Sequence, residues 1–142
     1  MAETYTGTCF CGAVEVQAKG EPKVTGYCHC RSCRVHSGQP VSIFTLWKTG
    51  DVTITRGEEH VAGVNRTGMT DRRFCTRCGG HVMVDHPTLG LRDIRPGILS
   101  TLTVRPTVHV NYAETVFPMH DGLPKLRDMT PQFGGSGELM EE

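Results

Sequence analysis

Aromatic residues are scarce in this chain, 6% in all with one tryptophan, so its core has few large rings to draw on. Net charge is absent too. Fifteen basic residues balance 15 acidic ones, and no like-charged run is long enough to make a surface for nucleic acid or for an anionic membrane. No apolar stretch approaches the roughly 20 residues that span a bilayer as a helix. Residues 1–7 show neither a basic segment nor a continuous apolar one. No secretory signal is therefore expected, and the reducing cytoplasm is the expected location. Internal repeats are missing. Helical periodicity is nearly so: only residues 32–37 offer a short helical turn.

What the chain does have is cysteine, in an uneven layout. All seven cysteines fall into three clusters, Cys9-Phe-Cys11, Cys28-His-Cys30-Arg-Ser-Cys33 and Cys75-Thr-Arg-Cys78. An odd number argues against a disulfide framework, which would leave one thiol over. Thiol-disulfide exchange is a second rival, since a C-x-x-C pair of that kind leads a helix in a βαβ unit. Here Phe74 precedes the pair and Gly79-Gly80 follows it, then an apolar run begins at His81, which reads as a zinc knuckle entering a strand. Metal ligation is the remaining reading. Thiolates would also change the charge count, because four around one dication leave about −2 and three around another about −1.

Apolar and polar residues largely alternate over Ala13-Val-Glu-Val-Gln-Ala18, the period of a half-buried strand. Val41 to Trp47 and Val52 to Thr55 are rich in β-branched and aromatic residues, with Lys48-Thr-Gly-Asp51 between them as the turn of an expected hairpin. Further strands are expected over His81 to Val84, Gly97 to Val104 and Thr107 to Tyr112. The expected fold is mainly β. A length of 142 residues fits one domain, residues 1–125, followed by a polar, Gly-rich acidic tail over residues 126–142 that is expected to be poorly ordered.

Seven ligands divide naturally into four and three. Cys9 and Cys11 with Cys75 and Cys78, 64 residues on, would close a tetrahedral four-thiolate zinc that staples the N-terminal segment to the middle of the chain. Cys28, Cys30 and Cys33 lie within six residues and supply three sulfurs, leaving a fourth position for water, a substrate thiol or a histidine. His29, His36, His81 and His86 are the candidates for closing that site. Glycines 7, 12, 38, 79 and 80 would let the backbone turn near the sulfurs. Arg31, Arg34 and Arg73 would either steer a carboxylate-bearing substrate or balance thiolate charge.

These residues also resemble a known family. Gly7-Thr-Cys-Phe-Cys-Gly12, Cys28-His-Cys-Arg-Ser-Cys-Arg34 with Gly38 after it, and Arg73-Phe-Cys-Thr-Arg-Cys-Gly79 are similar, in this order and register, to the glutathione-dependent formaldehyde-activating enzymes, also called the centromere protein V/Gfa domain. The resemblance implies a β-tent of twisted β-sheets, a structural zinc on Cys9, Cys11, Cys75 and Cys78, and a catalytic, labile zinc on Cys28, Cys30 and Cys33. It further implies a carbon-sulfur lyase resembling S-(hydroxymethyl)glutathione synthase, with glutathione or a similar thiol and formaldehyde or another small aldehyde as its partners. Two other readings accompany it: a zinc-stabilised protein-interaction module with both sites closed, and a thiol-based redox sensor that releases zinc on oxidation.

Overall fold

The structure is a computed structural model and describes residues 3–141. In chain order its strands are β1 (Thr4–Thr8), β2 (Glu15–Lys19), β3 (Val24–Cys28), β4 (Ser42–Lys48), β5 (Val52–Arg56) and β6 (Val61–Val64). They continue with β7 (Asp71–Cys75), β8 (His81–His86), β9 (Leu91–Ile94), β10 (Val108–Val110), β11 (Lys125–Leu126) and β12 (Leu139–Met140). One α-helix, α1 (Arg31–Ser37), lies between β3 and β4. The chain forms the expected mainly β class with twisted sheets. No helix of the described residues is long and apolar enough to cross a membrane.

The chain divides into two compact units, one of Met1–Lys23 with Thr45–Val104 and one of Val24–Phe44 with Arg105–Glu142. In the first, β1, β2 and β5 form an antiparallel sheet in that order. Period 2 is plain in β2, where Val16 and Ala18 are buried between less buried neighbours. Residues Thr45–Lys48 of β4 pair with β9, and the order continues through β8 and β7 to β6, each pair antiparallel. Val14, Val16, Ala18, Trp47, Val52, Val82, Met83, Ile94 and Leu99 pack together as the core of this unit, and Cys9 and Cys75 belong to it. Trp47 is fully buried, and its indole N–H is satisfied at 2.9 Å by Thr45 Oγ1, which itself donates to the Ile94 carbonyl. The scarce aromatic residue sits where its area counts most.

Buried charge in this unit is paired. Asp85 faces Arg73 and Arg92, and Asp93 is bonded by Arg95 while accepting the Thr45 backbone N–H. Asp85 on β8 thereby ties β7 through Arg73 and β9 through Arg92, while Asp93 on β9 ties β4 through Thr45.

The second unit orders its strands β12, β11, β10, β3. Here β10 runs parallel to β3 in the register Val108↔Gly26, His109↔Tyr27 and Val110↔Cys28. Parallel pairing needs a long connection, which the 82-residue separation of the paired positions supplies. Within the stretch read as a tail, Leu139–Met140 pairs with Lys125–Leu126 and Asp128 accepts from Ser136.

Two expected elements differ. β4 and β5 do not pair as a hairpin, because Thr49–Asp51 forms a 3-10 turn and Gly50 is not at positive φ, whereas tight hairpin turns need left-handed residues. The expected strand over Gly97 to Val104 is replaced by a 3-10 turn at Pro96–Ile98 and a single bridge from Leu99 to Gly7. Pro96 begins that turn, where its missing N–H costs nothing.

Candidate metal centres

Cys9, Cys11, Cys75 and Cys78 converge in the first unit with all four sulfurs within 4.8 Å of one another. Cys9 and Cys11 sulfurs are 3.7 Å apart and those of Cys11 and Cys75 3.9 Å apart. A tetrahedron of Zn–S bonds of about 2.3 Å has sulfur-sulfur edges of about 3.8 Å. The distances fit a shared ion and are far too long for disulfides.

Both arms of this centre are tight turns that aim amides at sulfur. After β1 the chain reverses at Gly12, which sits at φ 82°, and Val14 N–H donates to Cys9 Sγ at 3.3 Å. After β7, Arg77 N–H donates to Cys75 Sγ and Gly80 N–H to Cys78 Sγ, both at 3.4 Å, while left-handed Gly79 bonds back to the Cys75 carbonyl. This is the knuckle expected from the spacing. Thiols so crowded cannot all ionise unaided. Against desolvation, the Val14 amide and the neighbouring thiols hold Cys9 down to about 6. Cys11, although favoured by the Ala13 amide, is pushed up to about 11 by desolvation and by Cys9, Cys78 and Cys75. A dication resolves that conflict for all four.

Cys28, Cys30 and Cys33 converge in the second unit, their sulfurs also within 4.8 Å of one another. Cys28 ends β3 and is buried. Cys30 is the N-cap of α1, its sulfur accepting the Cys33 N–H at 3.3 Å, so the first helical turn brings the second and third sulfurs together. Left-handed Gly38 closes the helix. Cys30 and Cys33 are part exposed, so the cluster opens to solvent on their side. Crowding by Cys30 and Cys33, with burial, raises the Cys28 thiol well above its ordinary value. This set, too, is chemically suited to a soft dication.

Among the described residues no histidine joins either cluster. His29, between two of the cysteines, uses both ring nitrogens elsewhere: Nε2 lies 2.8 Å from His109 Nδ1, and Nδ1 lies 2.8 Å from Thr115 Oγ1. Desolvation, with His109 and Lys125 nearby, holds His29 down to about 4. His109 passes the contact on to Asp121, which also binds the buried Lys125 at 2.6 Å. His36 lies on α1, and His81 and His86 lie on β8. Of the three arginines, Arg73 is engaged by Asp71 and Asp85 and does not balance thiolates. Arg34 donates through Nε to the His29 carbonyl, and exposed Arg31 has its backbone N–H on Glu114.

Sequence reasoning missed Asn111, whose side-chain amide lies 3.5 Å from Cys28 Sγ, and the whole line from Thr115 to Lys125. No local signal marks them, since the β10–β3 pairing alone brings residue 111 to residue 28.

A family model described as glutathione-dependent formaldehyde-activating enzyme matches residues 4–114, a span that holds all seven cysteines. An uncharacterised lyase of Schizosaccharomyces pombe is 29% identical over 75 residues, which cover 53% of this chain and 53% of that protein. The match thus spans about half the length of that curated relative. A crystal structure of a Rhodobacter sphaeroides protein superposes with a TM-score of 0.55 at 24% identity, over 69% of this chain and 90% of that one. That likeness is one of fold.

Proposed function

The chain belongs to the glutathione-dependent formaldehyde-activating enzyme family, and from that premise we propose that it is a zinc-dependent carbon-sulfur lyase. Its reaction joins a small aldehyde such as formaldehyde to a glutathione-type thiol. The sulfur forms a bond to the carbonyl carbon, the carbonyl π bond opens, and the thiol proton ends on the oxygen; the reverse is an elimination.

The observation that carries this reading is the three-sulfur set of Cys28, Cys30 and Cys33, which among the described residues has no fourth protein ligand. A zinc ion held there supplies a Lewis acid with an open coordination position. The chain's own contribution is placement. The end of β3 and the first turn of α1 fix three sulfurs on a rigid corner, and the partial exposure of Cys30 and Cys33 leaves the approach open from their side. His29 is held neutral and turned away, so it neither closes the shell nor adds positive charge beside the sulfurs. The four-cysteine set has no position left for a substrate, and its role in this reading is to hold the first unit together.

Exchange NMR on glutathione and formaldehyde tests the proposal. The zinc-loaded protein is expected to speed interconversion of free and hydroxymethylated thiol, and Cys30→Ser to remove that acceleration while the fold persists. A rate equal to buffer sinks it. Two equally inert zinc ions in a thiol-displacement titration would instead favour the interaction module.

A further inference from the structure

Asn111 stands out by its backbone. It is the single non-glycine residue at positive φ among the described residues, at φ 55° and ψ 36°, whereas the ten other left-handed positions are all glycine. The left-handed region disfavours side chains, and asparagine tolerates it better than most. Glycine would meet the backbone requirement at least cost, so a side chain kept there needs a use.

Local uses are excluded by geometry. Asn111 is the N-cap of the 3-10 turn Tyr112–Glu114, yet its side chain makes no capping bond. Its backbone is already satisfied, the N–H by the Asp128 carbonyl at 2.7 Å and the carbonyl by Glu114 N–H at 3.1 Å. The amide nitrogen instead lies 3.5 Å from Cys28 Sγ, with Met129 Sδ farther off at 4.0 Å. Strand pairing fixes this approach: Val110 is opposite Cys28, and His29 N–H donates to the Val110 carbonyl at 3.1 Å. The residue after Val110 therefore meets the sulfur, provided the backbone turns left-handed there.

We propose that Asn111 is a positioning residue for the three-thiol centre, its amide holding the Cys28 sulfur in one rotamer and drawing charge from it. This rests on the reading of Cys28, Cys30 and Cys33 as a zinc site. A sulfur that shares its charge with an N–H donor gives less of it to a bound ion, which stays more electrophilic, while the fixed rotamer keeps the site assembled. Cys28 is the most buried of the three ligands, with 7% of its surface exposed, and the Asn111 amide is the side-chain N–H within reach of its sulfur.

The test uses the zinc-loaded full chain and two variants. Asn111→Gly keeps the left-handed turn and removes the donor; Asn111→Asp keeps the shape and puts a carboxylate in place of the amide. Zinc release to a chromogenic chelator is followed in time, and the cobalt-loaded proteins are read by their sulfur-to-cobalt charge-transfer band. In both variants the fast, three-thiol phase is expected to quicken by about ten- to a hundred-fold and the band to shift, with the slow, four-thiol phase unchanged. Wild-type release rates and an unmoved band in both would overturn the proposal while leaving the zinc site standing. Loss of fold in both would also overturn it, by making Asn111 a scaffold residue. A wild-type chain that takes up a single zinc ion would overturn both the proposal and the lyase reading on which it rests.

Discussion

His29 Nε2 lies 2.8 Å from His109 Nδ1, across 80 residues of sequence, and both rings are fully buried. That contact fixes the protons of a whole line of residues. His109 Nε2 is 2.7 Å from the Asp121 carboxylate and must donate to it, so in the neutral ring Nδ1 accepts. His29 Nε2 then carries the proton, and His29 Nδ1 accepts from the Thr115 hydroxyl, which in turn accepts the Phe117 N–H at 3.1 Å. Lys125 completes the line by donating to Asp121 and to the Leu123 carbonyl. The ring nitrogens of His29 and His109 and the Lys125 ammonium all have partners, and the segment Cys28–Cys30 is held from behind by its central residue.

Breaking the line should be costly. His109→Leu removes the acceptor of a buried N–H and a donor to Asp121, and is expected to destabilise the protein by roughly 2–4 kcal/mol. Thr115→Val, at a part-exposed position, should cost about 1 kcal/mol. Urea midpoints measure both, and a loss under about 0.5 kcal/mol for His109→Leu would contradict the network.

Acid should act through Asp121. Desolvation alone would raise this carboxyl, but the Lys125 ammonium and the His109 N–H hold it well below its ordinary value of 3.8. A carboxylate depressed on folding contributes stability that is present above its unfolded value and is lost as pH falls through its folded one. Wild type is therefore expected to lose stability below about pH 4 more steeply than Asp121→Asn, compared by urea unfolding from pH 7 to pH 3. Parallel curves would refute the assignment.

The two cysteine sets should separate by what their loss does. Cys75→Ser opens the four-sulfur set inside the core of the first unit and is expected to abolish folding, since a structural zinc contributes on the order of 10 kcal/mol. Cys33→Ser should change thermal stability by no more than about 2 kcal/mol and keep one tightly held zinc ion while losing the catalytic acceleration. Circular dichroism with metal counting distinguishes the two outcomes; the reverse pattern would exchange their roles.

Gly7 has a role different from the turn its place near Cys9 suggested. A β-carbon there would lie 1.5 Å from the Ile98 carbonyl oxygen, because Gly7 bridges to Leu99 at close backbone range. Gly7→Ala is expected to cost roughly 2–4 kcal/mol by forcing these backbones apart, measurable as a lowered melting temperature; an unchanged melt would refute the contact.

Strand patterns were legible where one short segment carried its own periodicity, as at Ala13 to Ala18, which overlaps β2 from Glu15 on, and at His81 to Val84, which lies within β8. β6, β7 and β9 carried no such mark, being short and dependent on partners. The run over Gly97 to Val104 shows the opposite failure: β-branched composition without a neighbouring strand gave turns instead.

Sequence by itself determined the ligand chemistry, because sulfurs spaced two or three residues apart must lie close in any fold: the three clusters, the knuckle at Cys75 and the short helix beginning beside Cys30 follow from local geometry. Ligand counting also pointed to Cys9 and Cys11 meeting Cys75 and Cys78, as they do. Tertiary structure alone decided that His29 turns away to His109 and that Asn111 reaches Cys28. Those contacts join positions 80 and 83 residues apart and depend on strand register, which a one-dimensional pattern of residue types does not encode.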